Sequence, residues 1–223
     1  MPRLGRALQL FLIAGAPILL ALTSVRLVMA PWFLDFEYSR ADFPSDPFGF
    51  SQEERRTYGI LAVEYIRDNL DIARLSEPVL PDGSPMFNAR ELRHLEDVQA
   101  VTRLAFNFHL LLAGLMALAC LFLAWRPCQR PVLRRAALGG GVLTVGLLLA
   151  LFVVVLLSWG LFFDTFHAVF FESDSWRFTY SDTLIRLFPE KFWFDAAITI
   201  SITTAAGAVG LVAAAWPWRR GRR

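Results

Sequence analysis

Four apolar runs constrain this chain more than any other feature: residues 8–30, 104–125, 136–163 and 196–218. A hydrocarbon core of roughly 30 Å takes about 20 residues of helix to cross. Each run is therefore long enough to span it once. The last three hold no Asp, Glu, Lys or Arg, and the first holds only Arg26, near its end. With 56% of residues hydrophobic, an ordinary soluble domain is excluded. The first run has a basic start at Arg3 and Arg6. It is longer than the roughly 7–15 apolar residues of a signal peptide and lacks an A-x-A site after it, so it is expected to be a retained span.

The charges orient these spans. All 20 acidic residues fall between residues 35 and 97 or between 164 and 195. The acid-free parts carry Arg3 and Arg6, then Arg126, Arg130, Arg134 and Arg135, then Arg219, Arg220, Arg222 and Arg223. The positive-inside rule puts those parts, and both termini, in the cytoplasm. The formal net charge of +2 thus hides a basic inner face and an acidic outer one. The basic face suits anionic headgroups of membrane phospholipid; neither a nucleic acid nor a protein partner is predicted. Cys120 and Cys128 lie on the inner side, where no disulfide framework is expected. The expected fold is an all-α integral membrane protein, a single membrane domain over 1–223. It has four transmembrane helices and a mostly helical extracytoplasmic subdomain between the first and second. The extracytoplasmic segments are residues 31–103 and 164–195.

The first outer segment opens with turn residues Pro44, Pro47 and Gly49. Ser51 and Glu54 then have capping-box spacing ahead of an amphipathic helix over 52–70, with Ile60, Val63, Ile66 and Leu70 apolar. A helix from Asn88 has Asn88 as N-cap and Glu91 at its third position. It is expected to run on into the second span. The second outer segment surrounds His167 with phenylalanines, including Phe166 and Phe170.

All three histidines lie outside the membrane or in its outer half. In ELRHLEDVQ, His94 has Glu91 and Asp97 three residues away on either side, which puts all three on one helical flank. Asp164 precedes His167 by the same interval. A carboxylate bonded to one imidazole nitrogen fixes the tautomer and raises the basicity of the other. Two such units can serve as base and acid in one acyl transfer. Equally, each can be a solvated ion pair on an interfacial helix. His109 lies within a span and reads as a structural hydrogen-bonding group. Arg26 either snorkels to the interface or holds a lipid phosphate. No metal site is predicted, since H-E-x-x-H and any pair of His at i, i+4 are missing. The outer serines Ser76, Ser84, Ser173 and Ser175 sit in no recognisable nucleophile motif.

ELRHLEDV, followed by FHAVFFESDSWRF and DTLIRLFPEKFW in a four-span layout, resembles the bacterial lipoprotein intramolecular transacylase (Lit) family. The resemblance implies a diacylated lipoprotein as substrate. The sn-2 acyl chain of its diacylglyceryl group would move to the α-amine of its own N-terminal Cys, giving a lyso-form lipoprotein. It implies His94 and His167 as catalytic residues and no cofactor. On this reading one histidine is the base and the other the acid or oxyanion donor: His94 as base with His167 as donor, or the reverse order, which is equally open. Glu91, Asp97 and Asp164 orient them, while Arg26, Phe166, Phe170 and Trp176 bind substrate. The alternative is a non-enzymatic membrane accessory or lipid-binding protein with a structural His/carboxylate site. It would keep working with both histidines replaced.

Overall fold

Helix boundaries follow from caps as much as from hydropathy in the computed structural model, which describes residues 2–80, 82–171 and 175–216. Arg219, Arg220, Arg222, Arg223, Trp218 and Ser173 lie outside the described residues. Helix α1 (Pro2–Val28) ends just before Pro31, which starts the short α2 (Pro31–Ser39) from its first turn. Helix α3 (Gln52–Asp68) starts on the expected capping box: Ser51 and Glu54 satisfy each other's backbone N–H. It stops at Asn69, whose φ of 54° is left-handed. After the single turn α4 (Ala73–Ser76), α5 (Ala89–Trp125) runs 37 residues without a break. A 3-10 turn (Pro127–Gln129) leads to α6 (Arg130–Leu157), then α7 (Trp159–Phe170), α8 (Thr183–Leu187) and α9 (Glu190–Ala215). The described residues contain no strand beyond one isolated bridge between Val79 and Pro85.

Among the described residues, four helices are long and apolar enough to cross a membrane, in α1, α5, α6 and α9. In α5 the charges Arg90, Glu91, Arg93, Glu96, Asp97 and Arg103 all precede Leu104. Only the part after Arg103 therefore suits hydrocarbon, and the leading turns belong outside it. The run expected as a third span over 136–163 is divided. Ser158 is extended, with φ −166° and ψ 108°, and its hydroxyl accepts a hydrogen bond from Leu161 N–H. Hydropathy misses this stop because Leu, Trp and Phe continue on both sides of a single capping serine.

The chain forms two compact units. Unit 1 is residues 1–24, 107–157 and 200–223; unit 2 is residues 25–106 and 158–199. Unit 1 has a core of Leu12, Ala16, Leu112, Met116, Ala119, Leu123 and Ala136. Small residues bring its helices close: a Cβ added at Gly140 would lie 2.7 Å from Ala16 Cβ, and one at Gly141 2.8 Å from the Ala208 carbonyl. His109 is buried here and pairs with Thr23 at 3.0 Å, the structural role anticipated for it.

Unit 2 gathers both segments read as extracytoplasmic. Phe33, Leu34, Tyr65, Phe87 and Leu187 are buried in it, and Tyr38 donates to the Leu187 carbonyl at 2.8 Å. The inner face of α3 consists of Arg55, Gly59, Ala62, Val63 and Tyr65. Gly59 is needed there because Tyr38 Oη sits 2.7 Å from where its Cβ would be. Asp46 and Arg186 form a buried ion pair at 2.9 Å, with the guanidinium 3.5 Å over the Phe50 ring.

Candidate active site

His94 and His167 come together. His94 lies in the second turn of α5 and His167 in the last turn of α7, and their ring centroids are 6.4 Å apart at 28°. A centroid separation of 6.4 Å lets the two rings flank one small reacting group. Aromatic side chains wall the pair. Phe171 and Phe178 meet His94 edge-on at 4.9 and 5.4 Å. Trp176 stacks on His167 at 4.7 Å, and Phe163 lies 4.1 Å from it. Phe166 and Phe170 sit on the exposed side of α7, 5.1 Å from each other, with Phe166 5.5 Å from His167.

The carboxylates do not act as the spacing implied. Glu91 is buried, and its two oxygens accept from Asn88 N–H and Leu184 N–H, each at 2.7 Å. As the third residue of α5 it closes a capping box with Asn88, whose side chain accepts from Arg90 and Glu91 N–H. Its reach is therefore backward to the cap and across to α8, away from His94. Asp97 is half-buried, and no hydrogen bond joins it to His94. Asp164 is exposed and faces Arg177 at 4.0 Å. His167 Nδ1 instead hydrogen-bonds the Phe163 carbonyl at 2.8 Å. Arg26 is also engaged locally: it donates to the Phe106 carbonyl at 2.9 Å and lies 3.9 Å over that ring.

Asp182 was missed by the sequence reading. It precedes α8 and accepts from Arg90 at 2.9 Å, Asn88 Nδ2 at 3.0 Å and Thr179 N–H at 2.7 Å. With Glu91, and with Thr183 donating to the Met86 carbonyl, it ties the start of α5 to the loop carrying Trp176 and Phe178. The only available signal was its place as an N-cap before Thr-Leu-Ile, which says nothing of a distant partner.

Burial disfavours the charged form of both imidazoles. Burial, and then the charge of nearby His167, push His94 down to about 4. Burial also lowers His167, against the opposing pull of the Phe163 carbonyl and the Asp164 charge. A carbonyl only accepts, so His167 carries its proton on Nδ1 and presents a lone pair at Nε2. His94 Nδ1 is buried with no hydrogen-bond partner. An orphaned acceptor is tolerated better than an orphaned N–H, which places the His94 proton on Nε2. The pair is thus one acceptor and one donor across an apolar gap, suited to moving a proton while a carbonyl gains negative charge. Among the described residues no group of three or more His, Cys, Asp or Glu is placed to hold a metal ion.

A family model described as lipoprotein intramolecular transacylase Lit matches residues 10–193. A protein of Aquifex aeolicus (strain VF5), described only as uncharacterized, is 30% identical over 197 residues, 88% of each chain. Among solved structures, the membrane-integral lipoprotein intramolecular transacylase Lit of Bacillus cereus superposes with a TM-score of 0.79. The identity is 19%, covering 96% of this chain and 95% of that one. A form of it with one histidine changed to alanine gives 0.74 at 18% identity, covering 96% and 93%. At these identities the structural likeness is one of fold.

Proposed function

This chain belongs to the lipoprotein intramolecular transacylase (Lit) family, and from that premise we propose that it moves the sn-2 acyl chain of a lipoprotein's diacylglyceryl group to the α-amine of the same N-terminal Cys. The amine nitrogen attacks the ester carbonyl carbon, a C–N bond forms, the C–O bond to glycerol breaks, and one proton passes from nitrogen to the glycerol oxygen. Ester-to-amide exchange runs downhill, and both reacting groups belong to one molecule. Holding them in register therefore removes much of the entropic barrier.

The observation that carries this reading is the His94–His167 pair inside its aromatic wall. The sequence leaves the order of base and donor open. The Nδ1 bond to Phe163 supports His167 as the base. His167 Nε2 takes the amine proton and returns it to the leaving oxygen, while His94 Nε2–H donates to the carbonyl oxyanion. The two never need to be charged together, which their proximity would oppose. Phe166, Phe170 and Trp176 form the acyl-chain surface, and Asp182, Glu91 and the Phe163 carbonyl hold the frame. Both termini are cytoplasmic in this reading, with the site at the outer face, as the arginine distribution implies.

The test is mass spectrometry of a reporter lipoprotein's N-terminal peptide from a bacterium making only the diacylglyceryl form. Wild type is expected to transfer one acyl chain to the Cys amine, and His94→Ala and His167→Ala to leave it on glycerol. An unchanged peptide with well-expressed wild type removes the proposal and favours a non-enzymatic role.

A further inference from the structure

Unit 1 contains no Asp or Glu, because every acidic residue lies between residues 35 and 97 or between 164 and 195. Its arginines have no carboxylate side chain of that unit to pair with. Three of them, Arg130, Arg134 and Arg135, line a single cavity of about 530 Å³ with Pro127, Pro131 and Leu138. Two are aimed by backbone carbonyls: Arg130 Nε donates to Ala124 O at 3.1 Å, and Arg134 Nε donates to Ala215 O. Each of those bonds uses Nε, so the outer guanidinium nitrogens remain as further donors. The two prolines stiffen the backbone around the cavity.

Next to the arginines the surface becomes apolar along one line. Leu138, Val142 and Leu149 share a face of α6, since offsets of four and eleven residues return to nearly the same angle. Val142 and Leu149 are exposed. From Leu138 to Leu149 the helix rises about 16 Å, half of a roughly 30 Å hydrocarbon core. A cationic cradle at one end of a leaflet-length apolar strip matches one kind of molecule.

We propose that this cavity binds an anionic phospholipid of the leaflet at that end. Its phosphate lies among Arg130, Arg134 and Arg135, and an acyl chain lies along Leu138, Val142 and Leu149. Guanidinium forks suit phosphate oxygens. A zwitterionic headgroup would bring an ammonium among arginines with no carboxylate in the unit to receive it, so the site selects net negative charge.

The test titrates the full chain, stripped of lipid in neutral detergent, with phosphatidylglycerol or phosphatidylethanolamine of matched chains. Native mass spectrometry reads the bound fraction. Wild type is expected to bind phosphatidylglycerol at least tenfold more tightly. At about fivefold per arginine, R130Q/R135Q is expected to weaken it by roughly 25-fold. R3Q/R6Q removes the same charge at the same end, where Gln129 packs over Gly5, and is expected to change binding less than threefold. Equal losses from the two double variants would mean diffuse charge and overturn the site. Equal binding of the two lipids also overturns it, on wild type alone should R130Q/R135Q fail to fold. So does inorganic phosphate binding as tightly as phosphatidylglycerol. None of these readouts involves acyl transfer, so the result is independent of the proposed reaction.

Discussion

Replacing Glu91 with glutamine separates two roles for one of the two carboxylates that the sequence places beside His94. If Glu91 is a latch, its work is to accept from Asn88 N–H and Leu184 N–H, both at 2.7 Å, joining the start of α5 to α8. Glutamine keeps one acceptor oxygen but turns an NH₂ toward the other backbone N–H. One charge-assisted bond, about 1.5–3 kcal/mol, is lost, and a buried donor is left facing another donor at about 1–3 kcal/mol. Part of this returns, because burial already pushes the Glu91 carboxyl upward and a neutral amide escapes that desolvation. The net expected loss is about 2 kcal/mol, or about 4–8 °C in the unfolding midpoint for a chain of this size. Thermal unfolding in detergent measures the first quantity. The rate of acyl transfer per folded molecule, well below the midpoint, measures the second and is expected to stay within about fivefold of wild type. A hundredfold loss of turnover at unchanged stability would refute the latch and restore Glu91 as the group that orients His94.

The remaining predictions concern pH and packing. Because burial depresses both folded-state imidazoles, the acid limb of transfer is expected below the ordinary imidazole value of 6.5, with His94 itself neutral until pH falls toward about 4. Any rising limb near pH 8 belongs to the substrate amine, with its reference pKa of about 7.7–8.0; an enzyme-derived break above pH 6.5 in kcat/KM would contradict the buried pair. The same depression makes the unfolded chain the better proton binder, so stability should drop by up to roughly 3 kcal/mol between pH 6.5 and about 4. His94→Gln should flatten most of that slope in denaturation series. Asp46→Asn leaves Arg186 buried without its carboxylate and is expected to cost about 3–5 kcal/mol, with Asp46→Asn/Arg186→Met recovering part; an unchanged midpoint would argue against the pair. Gly141→Ala puts a methyl 2.8 Å from the Ala208 carbonyl and 2.6 Å from Val212, for an expected loss of about 1–3 kcal/mol. Gly146→Ala meets nothing within 4 Å and should be neutral or stabilising by up to about 1 kcal/mol, so equal effects at both glycines would contradict the close helix approach.

Sequence alone determined the features set by local or summed chemistry. Helices long and apolar enough to cross, the caps at Ser51 and Asn88, and the sorting of arginines from carboxylates all follow from composition over a few turns. The histidine blocks were legible as a pair of candidates through their resemblance to a family. Tertiary structure decided which groups meet. The i±3 spacing put Glu91 beside His94 on the helix, yet its oxygens went to two backbone N–H groups, one on α8. Buried backbone donors must be paired, and a carboxylate at the third helical position is already aimed back at its own cap. His167 found a carbonyl four residues away in place of Asp164, because inside a helical turn Phe163 O is near while the carboxylate is drawn outward to solvent and Arg177. The approach of the two imidazoles to 6.4 Å joins residues 73 positions apart in sequence, which no local pattern encodes.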